Sequence, residues 1–169
     1  MMRLASMAAF ESRKSPLGYK HGAIIFQGKK KICSGYNMNT RTSYRNNICC
    51  SINAEMDTVS RFLNSFIKIH QITGEKNPHK IRRKLSKYNI LVVRSAEYKD
   101  GVLNYLNSSP CKDCLMKLQH VGLNKVIYSD NNYGLKSSRI HQISTDNVKY
   151  SAVMRQDSIR QQLRFAPMI

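Results

Sequence analysis

With 169 residues, 41% of them hydrophobic, the chain has the length and composition of one domain with a sizeable core. Twenty-eight Lys and Arg against ten Asp and Glu leave a formal charge of +18, which excludes an acidic surface and points to a polyanionic partner, nucleic acid or a nucleoprotein assembly first. No run reaches the roughly 18 apolar residues of a membrane span, so no membrane partner is expected.

Residues 1–10 set Leu4, Met7, Ala8 and Phe10 around a single Arg, too short and interrupted for a secretory signal. They predict the entry to a first helix over 5–12, an organelle-targeting peptide being the second reading. Pro16 and Gly18 break that helix. The apolar run Gly22-Ala23-Ile24-Ile25-Phe26, a turn at Gly28-Lys29-Lys30 and a return over 31–36 predict a hairpin. A polar loop over 38–47 follows. From Asn53 onward, Met56, Val59, Leu63 and Phe66 recur at the spacing of one buried helix face, which predicts a second helix to about residue 67. Residues 68–87 are basic and contain Gly74 and Pro78, the composition of an exposed insertion touching phosphate or solvent. Residues 88–94 predict a buried strand. Leu115, Leu118 and Val121 put an apolar stripe on a helix that begins near Cys111 and is closed by Gly122. A strand over 125–129, a turn over 131–134 and a weakly patterned extension over 144–169 complete the chain. This succession implies one α/β domain over residues 1–169, a mixed sheet with helices on both faces.

Cys33, Cys49, Cys50, Cys111 and Cys114 form an odd set without the spacing of a disulfide scaffold. They fit a reducing compartment (cytoplasm, virion or organelle) rather than secretion. In that setting Cys111-Lys112-Asp113-Cys114 reads as a metal site or a redox pair.

The chemistry concentrates in two segments, each at a predicted helix start: Asn53-Ala54-Glu55 and Pro110-Cys111-Lys112-Asp113-Cys114. With the hairpin before them, they resemble the H-x-E and P-C-x-x-C segments of the zinc-dependent cytidine and deoxycytidylate deaminase superfamily. The resemblance covers about residues 5–129 and implies a three-layer α/β/α fold around a mixed five-stranded sheet. It also implies zinc held by Cys111, Cys114 and the residue at position 53, with Glu55 relaying protons in the hydrolytic deamination of a cytosine nucleotide. Ala54 and Asn37 would meet the substrate, Asn37 at its sugar. The long segment between the two motifs resembles the deoxycytidylate branch.

Position 53 departs from the family pattern, because an Asn amide oxygen is a hard, neutral donor and a poor substitute for imidazole on zinc. Cys50, three residues earlier, is the candidate replacement if the helix begins early. Arg41 and Arg45 lie in the loop where substrate would approach and are the phosphate candidates. Tyr36, Tyr44 and Tyr88, interleaved with Lys20, are candidates for stacking on bases. His21, His70, His79 and His120 have no sequence tie to the metal position. Two readings stand. One is a deaminase-fold protein with an impaired zinc site, a basic nucleic-acid-binding or structural subunit of a virion or ribonucleoprotein assembly, compatible with a homo-oligomer. The other is a working zinc-dependent deaminase.

Overall fold

The computed structural model describes residues 1–39, 42–44, 47–49, 51–70, 78–95, 104–131, 134–146 and 148–149. In chain order the elements are α1 (Met2–Ser12), β1 (His21–Gln27), β2 (Lys30–Tyr36), the short pair β3 (Thr42–Tyr44) and β4 (Asn47–Cys49), and α2 (Ala54–His70). They continue with α3 (Pro78–Leu85), β5 (Asn89–Ser95), β6 (Tyr105–Leu106), α4 (Lys112–Val121), β7 (Lys125–Ser129), β8 (Leu135–Arg139) and a single 3-10 turn at Ile140–Gln142. The main sheet runs β2-β1-β5-β7-β8, with the two-residue β6 added to β5. β5 and β7 are parallel and the other pairs antiparallel, so the sheet is mixed, as expected.

The layers follow from the two-residue period of the strands. Ala23, Ile25, Ile90, Val92 and Val126 face one way and join Met56, Val59, Phe62 and Phe66 of α2 with Leu115 and Leu118 of α4. Ile24, Phe26, Leu91, Val93 and Ile127 face the other way and are covered by Leu4, Ala5, Ala8 and Ala9 of α1. Each large aliphatic side chain buried in these layers contributes about 1.5–3 kcal/mol. β1 and β5 read as continuous apolar runs because both of their faces are covered.

Two glycines set how closely the helices approach the hairpin. A Cβ on Gly22 would collide with the carbonyl oxygen of Ala8 and lie 2.6 Å from the backbone nitrogen of Ser12, so α1 rests directly on β1. A Cβ on Gly35 would lie 2.7 Å from the Thr58 hydroxyl and 2.9 Å from its backbone nitrogen, so α2 rests on β2 at the same intimacy. The second approach places the start of α2 beside the end of the hairpin.

Several elements differ from the sequence expectation. Within the basic stretch 68–87, residues 68–70 finish α2, and α3 packs Leu85, 6% exposed, and half-buried Ile81 into the core cluster shared with α2 and α4. These two residues sit four apart on one helix face, and the surrounding charge masks that short stripe. Tyr88 turns inward, its ring centroid 4.9 Å from Phe62 and 5.9 Å from Phe66 in edge-on contacts, and is not placed to stack on a base. β8 is an addition to the expected elements, since its Lys136-Ser137-Ser138-Arg139 sequence has no apolar alternation and, among the described residues, its ladder is with β7. α4 ends where foreseen, at Gly122 with φ 84°, a left-handed conformation suited to glycine. Among the described residues no helix is long and apolar enough to cross a membrane.

Candidate active site

The first motif is set by the hairpin. Met38 and Ile52 exchange backbone hydrogen bonds of 3.1 and 3.0 Å, which carries the chain from β2 directly to Asn53. The Asn53 carbonyl then accepts from the amides of Met56 and Asp57, both at 3.0 Å, and opens α2. Asp57 accepts from the Tyr36 amide at 3.2 Å and from Arg61 Nε at 2.9 Å, fixing the first turn of α2 against β2. Ala54 is fully buried and Glu55 is 6% exposed, so the motif enters the protein interior rather than a solvent face.

The second motif is clamped by serines that the sequence pattern does not single out. Ser108 and Ser129 hydroxyls lie 2.9 Å apart, the Ser108 hydroxyl also donates to the Val92 carbonyl at 2.9 Å, and the Ser129 hydroxyl donates to the Leu106 carbonyl at 2.6 Å. This network holds residues 106–109 across the ends of β5 and β7 and delivers buried Pro110 and then Cys111 to the start of α4. Single serines carry no periodic signal, so only the pairing of distant segments shows their role.

Cys111 is the N-cap residue of α4, half-exposed, while Cys114 lies inside the first turn and is buried. The Asn53 amide nitrogen donates to Cys114 Sγ at 3.1 Å and approaches Cys111 Sγ at 3.5 Å. Glu55 lies close enough to both sulfurs for the charges to act on one another. Thus Asn53, Glu55, Cys111 and Cys114, brought from two helix starts, form one cluster.

The electrostatics divide the roles within the cluster. The neighbouring Cys114 thiol lowers the pKa of Cys111 to about 7 against the opposing effect of burial. The neighbouring Cys111, followed by burial and the nearby Glu55 charge, drives the Cys114 thiol well up. Burial, and then the negative charge on Cys111, pushes the Glu55 carboxyl up to about 7. A cavity of about 510 Å³ opens onto Cys111, walled by Pro110, Tyr128, Ile143, Val148 and Lys149. The backbone bond from Lys112 to the Lys149 carbonyl, 2.9 Å, brings the later chain to this rim.

These donors do not fit a zinc centre. Among the described residues no three His, Cys, Asp or Glu side chains are arranged to hold a metal ion, and the third corner of the cluster is an amide nitrogen that donates to sulfur and offers a metal no lone pair. Asn37 lies beside the cluster through the Met38 bridge, but both of its side-chain groups are engaged with backbone: its oxygen accepts from the His21 amide at 2.7 Å and its nitrogen donates to the Tyr19 carbonyl at 2.6 Å. Cys50, Arg41 and Arg45 lie outside the described residues. His21 is turned to the Tyr19 carbonyl, 3.3 Å away.

No protein-family model matches this sequence, and no curated protein does. Among solved structures, a cytidine deaminase from Burkholderia pseudomallei is similar, with 18% identity and a TM-score of 0.55 over 86% of this chain and 96% of that one. A dCMP deaminase from the cyanophage S-TIM5 also matches, at 17% identity and a TM-score of 0.46 over 76% of this chain and 81% of that one. The chain therefore has the cytidine deaminase fold, with a mixed sheet between helical layers.

Proposed function

We propose that this is a deaminase-fold protein in which Asn53 has taken the place of a metal ligand, and that it serves as a basic nucleic-acid-binding subunit of a nucleoprotein assembly. The observation that carries the reading is the Asn53 amide, which points its hydrogens at both sulfurs where a metal-binding side chain would point a lone pair. The binding role draws its support from charge. α3 turns Ile81 and Leu85 inward and leaves Arg82, Arg83 and Lys84 exposed, followed by exposed Lys87, and no acidic residue occurs between Glu75 and Glu97. Such a face supplies contacts to phosphate without reading bases.

The test measures ammonia release from cytosine nucleotides and binding of a single-stranded oligonucleotide across a salt series. We expect no ammonia and a steep loss of affinity with salt. Replacing Arg82, Arg83, Lys84 and Lys87 together by Gln should make the plot of log K against log salt shallower by about 2 to 3 units, at roughly 0.7 for each phosphate left without its cation on a single strand. Because these side chains are exposed, the melting temperature should stay near that of the parent. An unchanged salt slope would remove α3 from the interface.

A second reading, a working deaminase, is favoured by Glu55: a buried carboxyl whose proton is held to about pH 7 is suited to relaying protons. On that reading the protein releases ammonia, and Glu55→Gln lowers turnover on the order of 100-fold or more. Turnover unaffected by Glu55→Gln would rule it out.

A further inference from the structure

Cys111 and Cys114 differ in the way that thiol exchange requires. Cys111 is half-exposed at the N-cap of α4 and borders the cavity, whereas Cys114 is buried one turn inside. Both sulfurs meet the same Asn53 amide, so both lie on one side of the helix start. Buried Glu55 stands in the same cluster, close enough for its charge to act on Cys114. Cys33 offers a contrast: it sits on β2 with its thiol directed at the Thr58 carbonyl, 3.8 Å away, and among the described residues no second sulfur hydrogen-bonds it.

We infer that Cys111 and Cys114 are a redox-active dithiol that reduces a small disulfide of the glutathione type entering through the cavity beside Cys111. The inference rests on the reading that Asn53 has replaced a metal ligand, since sulfurs bound to zinc would not be free to exchange. The Cys111 thiolate attacks one sulfur of the incoming disulfide, forming a mixed disulfide and expelling the first thiolate. Cys114 then gives its proton to Glu55 and attacks the Cys111 sulfur. The Cys111–Cys114 bond forms, the second thiolate leaves, and the proton passes to it. In sum two protein thiols lose two hydrogens, and one disulfide becomes two thiols. The walls Pro110, Tyr128, Ile143 and Val148 suit the apolar stem of such a ligand, and exposed Lys149 at the rim suits its carboxylate.

The experiment uses the full chain, purified in reductant, assayed for metal, and then exposed to oxidised glutathione. The expected result is an intact mass lower by two hydrogens, with Cys111 and Cys114 joined in the peptide map. Cys114→Ser should accumulate one glutathione on Cys111, and Cys111→Ser should acquire neither product at this site. Glu55→Gln should take up glutathione at the parent rate but close the internal disulfide on the order of 100-fold more slowly, the effect of losing a proton acceptor. One zinc per chain in the purified protein would overturn the Asn53 reading and the dithiol with it. A metal-free protein whose Cys111 and Cys114 stay reduced, or join other cysteines, would overturn the dithiol alone.

Discussion

Asn53→His should convert the cluster into a zinc site, giving a protein that retains one zinc per chain where the parent retains little. The reason is chemical: imidazole presents a lone pair toward the point at which the Asn53 nitrogen now donates to Cys114 at 3.1 Å, and two cysteines already occupy the other corners. Even an outer-sphere contact changes metal affinity by about 10–100-fold, so exchanging a direct ligand should change it by at least that much. With free zinc at about 100 times the dissociation constant, the variant should gain roughly 2.7 kcal/mol of stability that a chelator removes. Metal analysis and chelator-dependent melting read both effects. If the parent binds zinc as tightly as the variant, Asn53 is not the residue that keeps the metal out, and a donor beyond the described residues, Cys50 first, becomes the candidate.

The second large effect concerns the foundation of the fold. Gly22→Ala should destabilise the protein by about 3 kcal/mol, at the upper end of the overpacking range, because both atoms in the way belong to the backbone of α1. A flexible side chain could swing aside; the Ala8 carbonyl and the Ser12 amide cannot move without lifting α1 from β1. For a chain of this size the melting temperature should fall by roughly 6–12 °C. Gly18→Ala is the control, since nothing lies within 4 Å of its added Cβ. Equal melting temperatures for the two variants would show that α1 does not rest on β1 at this distance.

Much of the architecture is readable from apolar spacing. β1, β5 and β7 carry runs of buried residues, α2 places Met56, Val59 and Phe66 on its inner face, and α4 places Leu115 and Leu118 there before stopping at Gly122. α3 and β8 escape that reading for different reasons. In α3 two apolar residues stand among five charged or ionisable ones, and β8 is held by backbone pairing with β7 rather than by its side chains. Register and pairing depend on which segments meet, and side-chain pattern reports only burial.

The site divides along the same line. By itself the sequence singled out Asn53, Glu55, Cys111 and Cys114 as candidates, because residue type and spacing at helix starts are local properties, and it determined the charge of +18. Only the tertiary structure decided what they do to one another. Asn53 lies 58 and 61 residues from the two sulfurs it meets, and the orientation of its amide, the burial of Glu55 and the unequal exposure of the two cysteines arise when α2 and α4 are brought together on one sheet. A hydrogen bond between distant segments leaves no periodic trace in the chain, since its geometry exists only once the intervening strands have paired.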